Sequence, residues 1–139
     1  MRLFLDTTVR LAASGSASGG SREVFRRALG NGWSLVATPY VIEEVLRNLR
    51  DLPPIASMDW VGLRSSLAIM DDVFTLDRPA VFGPSNDRPI LFGALAWADV
   101  LLTLDRGDFG ALMDRPSYGL AVLTPGMFLT AERAAGRLI

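Results

Sequence analysis

The chain of 139 residues contains no cysteine, no histidine and no lysine, so all 14 of its basic residues are arginine. Without cysteine there is no disulfide to indicate an oxidising compartment, and zinc sites built on cysteine or histidine are excluded. Nucleophilic triads that need histidine and phosphate-binding loops that need lysine are excluded as well. A metal bound by this chain must therefore be a hard cation such as Mg²⁺ or Mn²⁺, which prefers oxygen ligands.

The sequence also lacks a long apolar segment and an excess of charge of either sign. No stretch approaches the roughly 20 apolar residues that a membrane-spanning helix needs, and the first residues are unlike a secretory signal. We therefore expect a cytoplasmic protein with no membrane partner. The net charge of −1 gives no global basic field of the kind that nucleic-acid-binding proteins often carry.

Hydrophobic periodicity predicts alternating strands and helices. Strands are predicted over residues 2–5, 33–37, 73–76, 100–103 and 119–123. Helices are predicted over 21–30, 38–50, 57–72, 87–97 and 124–135, with a loop over 14–20, an irregular connection over 79–84 and a single turn over 109–113. The alternation indicates one domain over residues 1–139 with a three-layer α/β/α fold, in which a central parallel sheet has four or five short strands.

Carboxylates recur where a predicted strand ends or the next helix begins. Asp6 follows the first strand and Asp105 follows the fourth, whereas Asp87 heads one helix and Glu44 lies about six residues into another. The carboxyl ends of parallel strands share one edge of the sheet, where ligands of open α/β sheets bind. Several carboxylates crowded there repel one another unless a cation neutralises them. The placement of these four acids therefore predicts a metal site.

Each of the four acids also has a structural interpretation when it is taken alone. Asp6 could be a turn residue at the end of a strand, and Asp87 could only cap its helix. Glu44 could lie on a solvated helix face, and Asp105 could belong to a simple turn. Their joint placement favours the metal site.

The motifs, taken in order, resemble those of PIN-domain nucleases, and most closely the branch formed by toxin components of toxin–antitoxin pairs. The similarity covers nearly the whole chain and rests on five segments: Asp6-Thr7-Thr8, residues 40–49, residues 87–91, residues 98–105 and residues 118–125. The resemblance implies a Mg²⁺- or Mn²⁺-dependent endoribonuclease. Carried over residue by residue, its catalytic and metal-binding acids are Asp6, Glu44, Asp87 and Asp105.

The same resemblance assigns supporting residues. Thr7 and Thr103 match hydroxyl positions beside the metal, and Asp99 or Asp108 would support the site from further out. Thr8 stands where the family often has asparagine, which leaves the hydrogen bonding around the first acid open. A metal site of this kind takes one ion or two ions about 3.5–4 Å apart, and the sequence leaves both open.

An acidic site that acts on RNA needs cations around it to hold the phosphates. Arg106, Arg10 and Arg88 flank the acidic motifs, and we predict that they contact the substrate backbone. Of these, Arg106 is the best placed, because it follows Asp105 directly. The alternative interpretation is that they are ordinary surface arginines or are paired within the protein.

The resemblance to toxins also implies partners. An antitoxin protein would occupy the acidic groove, and a homodimer is expected, with some support from the apolar helix predicted over 57–72. A different class of function stays open, namely a PIN-like scaffold that binds RNA or a protein without cutting it. Metal-dependent cleavage of single-stranded RNA that is lost in Asp6→Asn would separate the two.

Overall fold

A five-stranded, all-parallel sheet forms the centre of the computed structural model, which describes residues 1–77, 82–114 and 116–139. The strands are β1 (Arg2–Leu5), β2 (Ser34–Ala37), β3 (Leu67–Ile69), β4 (Val100–Leu102) and β5 (Ala121–Leu123). Their order in the sheet is β3-β2-β1-β4-β5, and every neighbouring pair is parallel. The predicted α/β fold with a central parallel sheet is therefore confirmed.

Helices connect these strands. They are α1 (Thr7–Gly15), α2 (Gly20–Asn31), α3 (Pro39–Leu49), α4 (Pro54–Arg64), α5 (Arg88–Trp97), α6 (Arg106–Phe109) and α7 (Pro125–Ala134), with 3₁₀ turns at Ser85–Asp87 and Gly110–Leu112. Proline begins α3, α4 and α7, where its missing N–H has no intrahelical partner to lose. Thr124 caps α7, because its Oγ1 accepts a hydrogen bond of 3.1 Å from the amide of Met127.

Two apolar clusters cover the two faces of the sheet. Leu3 and Leu5 of β1 face the cluster that contains Phe128 of α7. Phe4, between them, faces the cluster that contains Ile90 of α5. This alternation along one strand is expected when both faces of a sheet are covered, and it gives the predicted three layers. Among the described helices, none combines the length and apolar composition that crossing a bilayer requires.

Several predicted elements differ from the structure. No helix was predicted over Thr7–Gly15, where α1 lies. The helix predicted over 57–72 is wrong, because Pro54 already begins α4 and the helix ends at Arg64. The third strand lies at 67–69 instead of 73–76. The connection predicted over 79–84 lies partly outside the described residues.

The order of the strands fixes one special point in the sheet. From β1 the chain adds β2 and β3 on one side and β4 and β5 on the other. The crevice outside the carboxyl ends of the strands at such a reversal is where open α/β sheets bind ligands. Asp6 follows β1 and Thr103 follows β4, so both lie at this point.

Candidate metal centre

Asp6 is fixed at the carboxyl end of β1 by hydrogen bonds from three residues. Its Oδ1 accepts from the amide of Thr7 at 2.6 Å, and its Oδ2 accepts from Thr8 Oγ1 at 3.0 Å and from Thr103 Oγ1 at 2.7 Å. Only 3% of the residue is exposed. Burial raises the pKa of Asp6, whereas the three hydrogen bonds and the charge of Arg10 act in the opposite direction.

Two hydroxyl groups join the loop after β4 to the loop after β1. Thr103 Oγ1 donates to Asp6 and accepts from the amide of Asp105 at 3.0 Å. Thr8 Oγ1 likewise accepts from the amide of Leu104 at 3.1 Å. The hydrogen bonding that the sequence left open at position 8 is thus supplied by the threonine hydroxyl.

Asp87, Asp105 and Asp108 lie close enough together to hold a metal ion. One carboxylate oxygen from each lies within 4.8 Å of the others. Asp105 caps α6, because its Oδ1 accepts from the amide of Asp108 at 2.9 Å. Asp87 stands before α5, yet within the described residues its side chain makes no capping bond to that helix. The interpretation of Asp87 as only a helix cap therefore does not hold, and Asp108 lies closer to the other acids than its supporting assignment implied.

The electrostatics show that the other predicted acids share this neighbourhood. The pKa of Asp87 is raised to about 7, first by burial, then by a hydrogen bond shared with Asp108 and by the charges of Asp6, Asp108 and Asp105. Burial also raises the pKa of Glu44, and the charge of Asp6 adds to this effect. Like charges raise one another's pKa values only when they are close. The charge of Asp6 thus acts on both Glu44 and Asp87, whereas close approach of carboxylates is established for Asp87, Asp105 and Asp108.

The oxygen atoms of this cluster suit a hard divalent cation. Oε1 of Glu44 is buried and finds no hydrogen-bond donor in the described part of the chain. An unpaired buried carboxylate oxygen is costly, and a cation would supply the missing partner. Carboxylate oxygens without nitrogen or sulfur ligands are the set that Mg²⁺ and Mn²⁺ prefer.

Tyr40 holds the segment that carries Asp87 against α3. Its hydroxyl donates to the carbonyl of Asn86 at 2.6 Å, and its amide donates to the Asp72 carboxylate at 3.1 Å. Thr38 stands at the start of α3, but its Oγ1 has no partner among the described residues. Sequence patterns did not identify Tyr40 as a supporting residue, because these partners are 32 and 46 positions away.

Arg10 is not a surface residue. It has no exposed area, its Nη2 donates to the carbonyl of Val36 at 2.8 Å, and its guanidinium lies 6.0 Å from the centroid of the Phe4 ring. Burial lowers its pKa to about 9, and the charge of Asp6 opposes this shift. The prediction that Arg10 contacts RNA is therefore wrong, because no phosphate reaches it. It is a buried cation near Asp6.

Asp99 also lies away from the centre. Its Oδ2 accepts from the amide of Arg2 at 2.8 Å, and the residue precedes β4. This places Asp99 at the amino end of the strands, opposite the edge that holds the acids. The prediction that Asp99 supports the metal site is therefore wrong.

The other two arginines that were predicted to contact substrate are exposed. Arg88 follows Asp87 and its Nε donates to the carbonyl of Phe82 at 3.2 Å. Arg106 follows Asp105, and within residues 1–77, 82–114 and 116–139 it makes no ion pair. Both side chains flank the acidic cluster in sequence.

The chain matches no model of a known protein family, and no curated protein matches it either. The likeness to PIN-domain nucleases thus stays a prediction from the sequence motifs. The structure itself defines an α/β domain with an acidic centre at the carboxyl edge of a parallel sheet.

Proposed function

We propose that this protein is a divalent-metal-dependent endoribonuclease that hydrolyses RNA phosphodiester bonds at the acidic centre. The observation that carries the proposal is the convergence of carboxylates on Asp87, whose pKa is raised to about 7. Asp6 and Glu44 have raised pKa values as well. Perturbed carboxyl groups that converge at a ligand-binding edge are typical of functional sites.

Acids elsewhere in the protein have a different environment. Glu23 lies 2.6 Å from Arg27 and Glu132 lies 2.7 Å from Arg137, and these hydrogen-bonded arginines lower the pKa of both carboxyl groups. These two acids are thus paired with arginine. The acids of the centre instead face one another, which favours a site built to hold a cation over a structural cluster.

The cation would be Mg²⁺ or Mn²⁺, held by Asp87, Asp105 and Asp108 with Asp6 and Glu44 beside them. When bound, such an ion lowers the pKa of a water molecule and offsets the charge of the phosphate. Asp6 needs no rearrangement to take part, because three donors already fix its carboxylate. The chain has no histidine or lysine to accept a proton, and the raised pKa of Glu44 makes it a better proton acceptor than an ordinary glutamate.

RNA is proposed as the substrate because the motifs resemble those of PIN-domain toxins. The exposed side chains of Arg88 and Arg106 flank the acids and are suited to phosphate contacts. On the resemblance alone we also propose a toxin function, an antitoxin protein as partner and a homodimer. A cytoplasmic location stays a prediction from the sequence.

Cleavage of single-stranded RNA tests the proposal. We expect Mg²⁺ or Mn²⁺ to support cleavage and Asp6→Asn to lower kcat/KM by about 100-fold or more. Glu44→Gln should lower it strongly, whereas Glu43→Gln should leave it near the wild-type value, because Glu43 is exposed on the same helix. The readout is the rate of oligonucleotide cleavage with each metal and with EDTA.

The comparison of Glu43 with Glu44 separates a loss of the site from damage to the helix. If Glu43→Gln and Glu44→Gln lower kcat/KM equally, α3 is damaged in both variants, which would count against a site at Glu44. If wild type and Asp6→Asn both bind RNA and leave it intact with either metal, the protein is a binding scaffold.

A further inference from the structure

A cavity of about 410 Å³ lies between the amino-terminal ends of α2 and α7. Its lining includes Ser21 and Gly20 of α2, Gly126 of α7, and the two residues Leu104 and Arg106. The last two residues flank Asp105 in the chain, so the cavity adjoins the loop that carries one of the acids of the centre. Ligand pockets of small molecules have volumes in this range.

Among the described residues, the start of α2 presents free amide groups, whereas α7 contributes only the amide of Gly126, because Pro125 has no N–H and Thr124 caps Met127. The residue before α2 is Gly19, which has no side chain to cap the first turn. A Cβ placed on Gly20 would lie 3.7 Å from the amide nitrogen of Gly126, so the two helix starts are adjacent. The first amides of a helix have no intrahelical acceptors and carry a partial positive charge, which together attract anions.

Ser21 provides an independent indication of a ligand. The residue is only 5% exposed and lines the cavity, and its Oγ makes no hydrogen bond within the described ranges. The helix predicted over 21–30 begins one residue earlier, at Gly20 with Gly19 as its cap, so Ser21 lies in the first turn and not at the cap position. The hydroxyl is not one of the fully enclosed polar atoms without a partner in the described residues, so it is open to the cavity and can donate a hydrogen bond to a ligand there.

Arg106 completes the chemistry of the cavity. Its side chain is exposed and forms no ion pair with the acids that the structure describes. A guanidinium, a hydroxyl and helix amides are the donors that recognise a phosphate group. Ala12 and Pro125 supply apolar wall, and the volume leaves room for a sugar beside the phosphate.

We propose that this cavity binds a phosphate group of an RNA strand and so positions the strand for cleavage at the neighbouring acids. The inference rests on the proposed function, because it makes the cavity part of the same substrate path. It also assigns a use to the glycine- and serine-rich segment over 14–20, part of which lines the cavity. The phosphate is either an internal diester or a terminal 5′-phosphate, and the experiment separates these sources.

The test measures binding without cleavage. In ¹H–¹⁵N spectra of the whole protein, titration with inorganic phosphate at fixed ionic strength should shift the amides of Gly20, Ser21 and Gly126 saturably. Ser21→Asp should abolish these shifts, because its carboxylate would occupy the place of the phosphate. An acid in the first turn of a helix is favourable, so α2 should still form. Arg106→Gln should weaken binding about fivefold or more.

Arg64→Gln is the matched control. Arg64 is exposed at the end of α4, just before β3, and so lies at the opposite edge of the sheet. The Arg64→Gln substitution removes one positive charge, as Arg106→Gln does, and should leave the phosphate titration unchanged. Equal weakening in both variants, or phosphate shifts scattered over the surface, would overturn the inference.

RNA oligonucleotides with a 5′-hydroxyl or a 5′-phosphate then identify the source. Binding that requires the 5′-phosphate assigns the cavity to a strand end, and equal binding assigns it to an internal diester. The two proposals fail separately. If the protein binds phosphate saturably but does not cleave RNA, the phosphate site is supported and the nuclease function is rejected. If Ser21→Asp cleaves RNA with an unchanged KM, the phosphate site is rejected and the nuclease function is supported.

Discussion

At the scale of single residues, Asp87 couples the stability of the protein to pH. Its pKa is about 7 in the folded protein, against an ordinary value of 3.8. The folded state therefore holds this proton more tightly than the unfolded state does. Protonated Asp87 favours folding below about pH 4, and this contribution is lost as the pH rises through 7.

We expect Asp87→Asn to remove this dependence. In EDTA, the Tm of wild type should fall relative to that of Asp87→Asn between pH 5 and pH 8. Because Asp87 is partly exposed, solvent screening reduces the effect to about 1 kcal/mol, which is roughly 4 °C in a domain of this size. Mn²⁺ should restore the Tm of wild type at pH 8. Parallel Tm curves for the two proteins in EDTA would contradict the assignment.

The hydroxyl of Thr103 connects the carboxylate of Asp6 to the amide of Asp105. Removing this hydroxyl should therefore lower the stability of the protein. Thr103→Val keeps the shape but leaves Asp6 Oδ2 and the amide of Asp105 each without one partner. We expect a loss of about 1–3 kcal/mol in the free energy of unfolding, measured with urea. Thr103→Ser keeps the hydroxyl and should lose less. Equal stability of the two variants would show that the hydrogen bonds contribute little.

Part of the acidic centre could be predicted from the sequence. The edge position of Asp6 follows from its place directly after β1, and that of Asp105 from its place two residues after the predicted strand 100–103, whatever the details of packing. The burial of Arg10 could not be predicted, because it depends on α1 and on a carbonyl 26 residues away. Asp99 was wrongly assigned to the metal site. It precedes β4, so it lies at the amino edge of the sheet and not at the carboxyl edge that holds the acids.

At the scale of elements, the three inner strands and the edge strand β5 could be predicted, whereas the edge strand β3 could not. The apolar run of β1 gives its observed ends, since both faces of this strand are covered. β3 lies at the edge, and Ala68 and Ile69 within it are exposed, so its pattern carries little signal. The end of α1 and the start of α2 could not be predicted, because the glycines and serines over 14–20 are poor helix formers.

Gly93 sets how closely α5 lies on the sheet. A Cβ at this position would be 3.1 Å from Cε2 of Phe4 and 3.4 Å from Cγ2 of Thr38. We expect Gly93→Ala to lower the free energy of unfolding by about 1–3 kcal/mol by overpacking. It should also weaken Mn²⁺ binding in calorimetry, because α5 begins directly after Asp87.

Gly62 in α4 provides the control for this substitution. A Cβ there would meet nothing within 4 Å, so Gly62→Ala should raise stability by about 0.5–1 kcal/mol through helix propensity. It should leave Mn²⁺ affinity unchanged. If Gly93→Ala were as stable as Gly62→Ala, the close approach of α5 to β1 would not govern the position of Asp87.

At the scale of the whole molecule, the central strand pairs with segments from both halves of the chain. β1 lies between β2 and β4, and the hydrogen bond from Thr103 to Asp6 spans 97 residues. During translation at about 5–20 residues per second, Asp6 is made roughly 5–20 s before the residue that orients it. A growing chain thus holds no assembled cluster until residues 103–108 have been added and have folded against β1.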